Sequence, residues 1–319
     1  LSDNEKGKVY ILEEFNTQTG TFGSYKTWKK NLRNPNDIKF YTDKNGQNWV
    51  YIAETHAVTR YKYKLGEIEP SDTGEIITKF PDYGLSYKYG GWHLTRSMDF
   101  YYDKLYISVG SSCNSCEELE TERERATILE MNPDGTEKIY YAEGVRNAVE
   151  IKWINNQLYA TNMAADHFGD ELPDDQFLSI NKGDNFGWPY CFQNGWHSQE
   201  DTTKKWERKN INCTDVPKVY QPLGAHVAPL GFDYFDDEYS SELAGYFLVA
   251  NHGSVNLRTG NEIVRVRKGK TEPFVTGFRG EGKTKFARPC DIYKYKNGFL
   301  FTDDYKGIVY FVKKTAKNE

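Results

Sequence analysis

The sequence predicts an all-β protein, a six-bladed β-propeller of four-stranded antiparallel blades, and three observations lead to this prediction. Five short runs are rich in β-branched and aromatic residues, and four of them follow a turn containing Gly, Asn or Asp. The run centres, at 51, 106, 159, 248 and 300, are 55, 53, 89 and 52 residues apart, and three periods near fifty are typical of propeller blades. A further strand-like run follows four of the five hairpins. We expect a sixth blade, shared by the terminal strands, because a propeller closes its ring to remove exposed strand edges.

Each repeat consists of an inner strand, a turn and two further strands. The predicted second strands cover 49–53, 104–108, 157–161, 246–250 and 298–302, and the third strands cover 58–61, 127–130, 262–266 and 307–311. The long interval contains an insertion at about 188–228, and residues 1–319 form one domain. The alternative of βαβ units needs helical patterns of ten or more residues between strands. Only 116–125 offers one, so the propeller is favoured.

Composition excludes two classes of protein. The 319 residues carry a net charge of −5, so the chain lacks the basic surface that binds nucleic acid. No stretch approaches the ~18 consecutive apolar residues of a membrane-spanning helix. Aromatic residues make up 15% of the chain, and they can build a large core although the hydrophobic content is low.

Five cysteines indicate the compartment. Cys113 and Cys116 form a CxxC, Cys191 and Cys213 bracket the insertion, and Cys290 stands alone. A zinc site would need a second close Cys or His pair, and a redox CxxC opens a helix in a βαβ unit. Neither pattern is present. We therefore expect structural disulfides, a free Cys290, and a secreted, periplasmic or extracellular protein.

Basic side chains recur in the segments that lead into inner strands. Five of them share this phase: His93, Arg96, Arg146, His226 and Arg288. Such residues can instead be buried histidines with hydrogen-bond partners, or arginines that pair with a carboxylate of the next blade. Several cations in one channel mouth repel one another unless an anion is bound. Their repetition predicts an anionic ligand, preferably a planar polycarboxylate that Arg binds bidentately.

A second cluster follows the third repeat's hairpin. Residues 162–175 contain five carboxylates and several small residues. Such loops suit Ca²⁺, which takes six to eight oxygen ligands. The spacing matches no EF-hand, and a solvated acidic loop remains an equal alternative.

At these residues the chain resembles the soluble glucose/sorbosone dehydrogenase family, quinoproteins that use pyrroloquinoline quinone (PQQ) and calcium on a six-bladed propeller. The sorbosone-like, aldose and pyranose dehydrogenase branches fit best. The matching stretches occur in order over most of 32–312: 91–96, 110–116, 146–147, 165–173, 185–191, 224–231, 252–254, 288–289 and 303–304. The chain departs from the family at 255–258, where Trp, Asn and Arg usually follow the His-Gly-Ser.

The resemblance implies roles for individual residues. His93 would be the general base and Arg146 would stabilise negative charge on the quinone oxygen, both as catalytic residues. The implied cofactor-binding residues are Arg96, Asn147, His226, His252 and Arg288. Calcium would be bound largely by carbonyl oxygens of Ala164 and Ala165, with Asp166 as a further ligand.

The expected activity is therefore the PQQ- and calcium-dependent oxidation of a sugar by hydride transfer to the quinone. No CxxCH haem-attachment motif is present, since Glu117 follows Cys116, so electrons pass to an external acceptor such as a quinone or a cytochrome. Two alternatives stay open. One is a secreted propeller that binds carbohydrate or protein without redox activity, and the other is a calcium-dependent hydrolase or lactonase.

Overall fold

The chain folds into antiparallel sheets and contains almost no helix. A computed structural model describes residues 1–80, 92–237, 239, 242–254, 259–281 and 284–313. These residues form 24 strands, and their helical content is two short 3-10 turns, Glu120–Glu122 and Cys213–Asp215. In this part of the chain no helix is long and apolar enough to cross a membrane.

Six sheets form the blades of a six-bladed propeller, which confirms the predicted fold class. Blades are numbered I–VI along the chain. Blade I contains β1 (Ser2–Asp3), β2 (Lys8–Asn16) and β3 (Thr21–Lys29). Blade II contains β4 (Asp37–Thr42), β5 (Asn48–Ala53), β6 (Ala57–Lys62) and β7 (Glu75–Lys79). Blade III contains β8 (Arg96–Tyr101), β9 (Lys104–Val109), β10 (Thr127–Met131) and β11 (Ile139–Glu143).

The second half of the chain repeats this order with one insertion. Blade IV contains β12 (Ala148–Ile154), β13 (Gln157–Asn162), β14 (Asp174–Ile180) and β17 (Gln221–Ala225), and the hairpin of β15 (Cys191–Asn194) and β16 (His197–Glu200) lies between its last two strands. Blade V contains β18 (Pro229–Phe235), β19 (Tyr246–Asn251), β20 (Glu262–Arg267) and β21 (Lys270–Val275). Blade VI contains β22 (Pro289–Tyr295), β23 (Gly298–Asp303) and β24 (Ile308–Lys313).

All five predicted second strands and all four predicted third strands lie in strands of blades II–VI. Two details of the prediction are wrong. Within the described residues the terminal strands do not share a blade, because the first and last sheets are separate and have three strands each. The insertion ends before β17, near residue 220 rather than 228, because β17 pairs with β14 and completes blade IV.

Side chains of the inner strands connect neighbouring blades. At three joints, an inner-strand Asp carboxylate accepts a backbone N–H of the next inner strand. These pairs are Asp37 with Met98 (2.7 Å), Asp99 with Trp153 (2.6 Å) and Asp233 with Lys294 (2.8 Å). Because a carboxylate that accepts an N–H makes a strong, directional bond, each joint fixes the register of the two blades.

The remaining joints use other polar groups. Ser2 Oγ donates to Asn36 O at 2.9 Å between blades I and II, and Thr161 Oγ1 donates to Leu230 O at 2.5 Å between IV and V. Lys313 Nζ donates to the carbonyls of Thr17 (3.0 Å) and Gln18 (2.9 Å), which joins blade VI to blade I and closes the ring.

Two disulfides and one thiol account for the cysteines. Cys113 is bonded to Cys116, Cys191 is bonded to Cys213, and Cys290 is free. The prediction of structural disulfides with a free Cys290 is confirmed. The first bridge closes the loop after β9, and the second ties the start of the inserted hairpin to the segment before β17.

Candidate active site

The predicted site residues lie at one end of the propeller. In each antiparallel pair, the inner strand begins where the second strand ends. The segment before an inner strand therefore lies beside the loop after the second strand of the same blade. These strand pairs are β8 with β9, β12 with β13, β18 with β19 and β22 with β23. The segments before the inner strands carry His93, Arg146, His226 and Arg288, and the loops after the second strands carry residues 110–116 and 163–173, His252 and Asp304.

His93 is held as a neutral imidazole. Its Nδ1 lies 2.9 Å from both the carbonyl oxygen and the hydroxyl of Ser111, and that hydroxyl donates its own proton to Cys113 O. Both Ser111 oxygens therefore accept, so Nδ1 carries the proton and Nε2 keeps its lone pair. Burial, followed by the charge of Arg146, lowers the pKa of His93 well below its ordinary value. Nε2 has no hydrogen-bond partner among the described residues.

Arg146 is a buried cation held by neutral oxygens. It is 2% exposed, and it donates to Asn114 O (2.9 Å), Asn114 Oδ1 (2.9 Å) and Met163 O (3.0 Å). Burial lowers its pKa to about 10, which still leaves it charged at neutral pH. Three of its five N–H donors are used in this way, so two can bind a ligand.

Arg288 is arranged similarly two blades further along the ring, before the inner strand of blade VI. Its Nε donates to His252 O (3.3 Å) and its Nη2 donates to Gly253 O (2.7 Å). Lys285 is a neighbouring cation, and burial and the charge of Arg288 lower the pKa of its amine. The structure thus brings two cations together near the start of β22.

Neither Arg146 nor Arg288 forms a salt bridge within the described part of the chain. The alternative that these arginines join blades through carboxylates is therefore wrong for both. Inside the channel, a lysine links blades through carboxylates: the Lys39 amine lies 3.6 Å from Asp37 and 3.5 Å from Glu150, which belongs to blade IV. The charges of Asp166 and Asp175 oppose the fall in the pKa of Arg146 without forming a salt bridge with it. A buried cation that lacks a directly bonded carboxylate is unfavourable, so this mouth favours an anionic ligand.

Arg96 and Asn147 lie behind these groups. Arg96 is 0% exposed, and its Nη1 donates to the carbonyls of His93 (2.9 Å) and Thr95 (2.7 Å). These contacts support the segment that carries the base. Asn147 Nδ2 lies 3.5 Å from Met163 Sδ. Direct contact of either residue with a cofactor stays a prediction.

Gly110 permits the close approach of His93 and Asn147. A Cβ at residue 110 would lie 2.6 Å from both His93 Cβ and Asn147 Oδ1. These distances are far shorter than normal van der Waals contacts, so any side chain at residue 110 would push His93 and Asn147 away from it.

We expect Gly110→Ala to abolish ligand binding and to lower the thermal unfolding midpoint by several degrees, because overpacking costs about 1–3 kcal/mol. Thermal unfolding and ligand titration check this. Gly46→Ala is the control for ligand binding, which it should leave unchanged, because nothing lies within 4 Å of its Cβ. Its positive φ strains any side chain, so its unfolding midpoint reports backbone strain without overpacking. A fully active Gly110→Ala would contradict the tight contact.

The loop after β13 is joined to the loop before β18. Asp175, buried in β14, accepts the backbone N–H of Ala164 and of Ala228, both at 2.8 Å. His226 donates from Nε2 to Gly169 O (2.7 Å), and its Nδ1 lies 3.3 Å from Asp166 Oδ1. Both ring nitrogens of His226 therefore face oxygen atoms of the loop after β13. Its ring holds the loop, and its contact with a cofactor stays a prediction.

The predicted calcium ligands are compatible with an oxygen-binding cation. The carbonyls of Ala164 and Ala165 accept no hydrogen bond within the described residues, and both residues line a cavity of about 20 Å³, which holds one water-sized occupant. Asp166 is more than half exposed, and its carboxylate faces His226. These donors fit Ca²⁺ as a site completed by water or a ligand.

Two important residues were not singled out from the sequence. Asn114 contacts Arg146 and also accepts the backbone N–H of Asp166 at 2.9 Å, and Asp175 joins the loops before β14 and β18. Asn114 lay inside a matched stretch, but nothing in the sequence indicated its partners. Residue 91, at the start of the first matching stretch, and residues 255–258, where the sequence departs from the family, lie outside the described residues.

The fold and this site define a class: a six-bladed propeller with a cation-rich mouth, a buried neutral imidazole and a carbonyl-rich loop. Comparisons with known proteins agree with the fold. The PQQ domain of pyranose dehydrogenase from Coprinopsis cinerea, in its holo form, superposes with a TM-score of 0.74 at 14% identity over 98% of this chain and 91% of that one. A calcium structure of a family AA12 carbohydrate-active enzyme from Trichoderma reesei gives 0.70 at 13% identity, over 96% and 95%.

Aldose sugar dehydrogenase from Streptomyces coelicolor, in its PQQ-bound form, gives a TM-score of 0.60 at 14% identity, over 97% of this chain and 88% of that one. No protein-family model matches the chain. A curated but uncharacterized protein of Borreliella burgdorferi is 31% identical over 226 residues, which is 66% of this chain and 57% of that protein's length. Two of these structural neighbours are thus named as sugar dehydrogenases and the third as a carbohydrate-active enzyme, and at these identities the likeness concerns the fold.

Proposed function

We propose that this protein is a PQQ- and calcium-dependent sugar dehydrogenase that passes electrons to an external acceptor. One observation carries the proposal. A neutral imidazole with an unoccupied Nε2 lies in the same mouth as two arginines that have no carboxylate partner. A base beside an anion site is what the oxidation of a hydroxyl by an anionic cofactor requires.

The chain's own residues have distinct tasks in this proposal. His93 Nε2 accepts the proton of the substrate hydroxyl, because Nδ1 is fixed as a donor to Ser111. Arg146 places its remaining N–H groups where negative charge develops. Arg288 binds a cofactor carboxylate with its unused donors. Arg96, Asn147 and His226 keep the surrounding segments in position.

The quinone, when bound, supplies the hydride acceptor, and Ca²⁺ offsets its carboxylates and polarises it. Ala164 and Ala165 would hold the ion through their carbonyls, with Asp166 beside them. Trp92 borders the same mouth, since the guanidinium of Arg146 lies 5.9 Å from its ring centre.

The sugar, the acceptor and the compartment follow by the same reasoning. The substrate is an aldose, pyranose or sorbosone-like sugar, and the acceptor is a separate quinone or cytochrome. Two disulfides are compatible with a secreted, periplasmic or extracellular protein.

The test is a titration of the purified chain with PQQ and Ca²⁺, followed by absorbance and thermal shift, and then by reduction with a panel of aldoses. We expect saturable PQQ binding that requires Ca²⁺, and sugar-dependent bleaching of an artificial acceptor. Failure of PQQ to bind in the presence of Ca²⁺ would overturn the proposal. The non-redox binding propeller would then be favoured.

Replacing Arg288 by Ala is expected to weaken PQQ binding about 10- to 100-fold, since a hydrogen bond to a charged group contributes about 1.5–3 kcal/mol. Equilibrium titration by absorbance measures the effect. Arg267→Ala is the matched control, because Arg267 is exposed at the end of β20, where it stacks on Tyr246. An unchanged PQQ affinity in Arg288→Ala would reject this role.

A further inference from the structure

We propose that His252, Cys290 and Asp304 form a binding site for a divalent transition metal such as Zn²⁺, separate from the calcium site. Among the described residues this is a group in which a His nitrogen, a Cys sulfur and a carboxylate oxygen all lie within 4.8 Å of one another. The three residues come from two neighbouring blades, V and VI. The proposal goes beyond the proposed function, and it needs neither quinone nor sugar.

The distances suit tetrahedral coordination. His252 Nε2 lies 2.9 Å from Asp304 Oδ1 and 3.0 Å from Oδ2. Two ligand atoms at the usual Zn–N and Zn–O bond lengths of ~2.0–2.1 Å are about 3.3 Å apart in a tetrahedron. The nitrogen and oxygen therefore need to separate by only a few tenths of an ångström, which an exposed carboxylate can do.

The backbone around the ligands is held in place before any metal binds. The His252 N–H donates to Ala228 O (3.0 Å), and its carbonyl accepts from Asn261 Nδ2 (2.7 Å) and from Arg288 Nε. Beside Asp304, the buried carboxylate of Asp303 accepts hydrogen bonds from the backbone N–H groups of Arg288 (2.9 Å) and Tyr305 (3.0 Å). A site supported in this way loses little entropy on binding.

The donor set selects the metal. Thiolate and imidazole prefer borderline and soft cations, whereas Ca²⁺ needs six to eight oxygens. The thiol now donates to Arg288 O at 3.5 Å, and coordination displaces its proton. Thiolate and carboxylate together neutralise a divalent ion. The Asp304 side chain is 57% exposed, so metal can enter from solvent and water can complete the coordination.

In this proposal the His252 ring binds the metal ion together with Asp304. The sequence placed His252 among the quinone contacts, but its Nε2 cannot bind a quinone and a metal together. The structure aims that atom at Asp304, so metal binding uses the geometry already present. A ring that contacts the quinone would have to turn away from the carboxylate.

The test uses the metal-free full-length chain with both disulfides intact, no quinone and no sugar. Co²⁺ is titrated in and followed by absorbance. We expect one equivalent of Co²⁺ to produce a near-ultraviolet thiolate-to-metal charge-transfer band and the visible bands of tetrahedral cobalt. Zn²⁺ should displace it, and excess Ca²⁺ should not.

Three variants locate the site. Cys290→Ser should lose the charge-transfer band, Asp304→Asn should bind Co²⁺ at least about tenfold more weakly, and His197→Asn, on the hairpin strand β16, should bind as the wild type does. Thermal unfolding checks that each variant is folded, and the exposed Asp304 keeps the test valid if Cys290→Ser is unstable. Absence of the band in wild type, or its persistence in Cys290→Ser, would overturn the proposal. Failure of the PQQ titration would leave this result unaffected.

Discussion

His93→Asn is expected to lower kcat for sugar oxidation by about 10²- to 10⁴-fold, the usual contribution of a general base, while PQQ affinity stays close to that of the wild type. Among the described residues of this mouth, the imidazole offers a neutral nitrogen base whose Nε2 has no hydrogen-bond partner. Asn is the preferred replacement because residue 93 has a φ of 47°, a conformation that Asn tolerates better than most residues. Steady-state assays with an artificial acceptor, together with a PQQ titration, measure both effects.

The matched control is His197→Asn, on the inserted hairpin. It should leave kcat and PQQ affinity unchanged. If His93→Asn turned over sugar at the wild-type rate, His93 would be removed from the mechanism. If it lost PQQ affinity as well, His93 would be a cofactor ligand rather than the base.

The pH profile gives an independent test of the same residue. Burial and the charge of Arg146 lower the pKa of His93, so the proton-free base persists into weakly acidic solution. The acid limb of kcat/KM is therefore expected below the ordinary imidazole value of ~6.5. A limb at or above that value would contradict the neutral, desolvated base.

Arg146→Lys is expected to reduce kcat by about 10²- to 10³-fold, the range seen when one donor to a developing oxyanion is removed. Lysine keeps the positive charge but cannot reach Asn114 O, Asn114 Oδ1 and Met163 O together, because it lacks the planar fork. The thermal unfolding midpoint should also fall, since acceptors in a buried site lose their donors. Assays of kcat and thermal unfolding under saturating PQQ measure the two losses.

Arg123→Lys is the control, because the Arg123 side chain is 58% exposed, pairs with Glu120 and lies 5.9 Å from the ring centre of Tyr140. A third variant, Arg146→Gln, removes the charge that lowers the pKa of His93. The acid limb of kcat/KM should therefore move to higher pH in Arg146→Gln and stay in place in Arg146→Lys. An identical limb in both variants would show that Arg146 does not act electrostatically on the base.

The strands of blades II–VI could be predicted because their evidence is local. The run at Tyr246–Asn251, for example, alternates little, follows a turn and is buried throughout, so composition and turn residues were enough. The terminal sheets could not be predicted in this way. Whether β2 pairs with β24 or forms a separate sheet depends on contacts between residues about 300 positions apart.

The candidate site was predicted in part for a similar reason. His93, Arg146 and Arg288 occupy the same position in successive repeats, just before an inner strand, and this position can be counted from the sequence. The orientation of each side chain cannot be predicted in this way. His226 and His252 also lie in the mouth, but their rings contact loops of the neighbouring blade. His226 faces Gly169 and Asp166, and His252 faces Asp304.

The sequence alone therefore predicts the blade repeat, the distinction between disulfide-bonded cysteines and the free Cys290, and the end of the propeller where the basic residues lie. Each of these depends on short-range pattern and on the closure of strand edges. Tertiary structure decides the rest: that Asn114 and Met163 hold Arg146 without a carboxylate, that Ser111 fixes the protonation of His93, and that Cys290 lies beside His252 and Asp304. These are contacts between blades and loops distant in sequence, and their geometry exists only once the ring has closed.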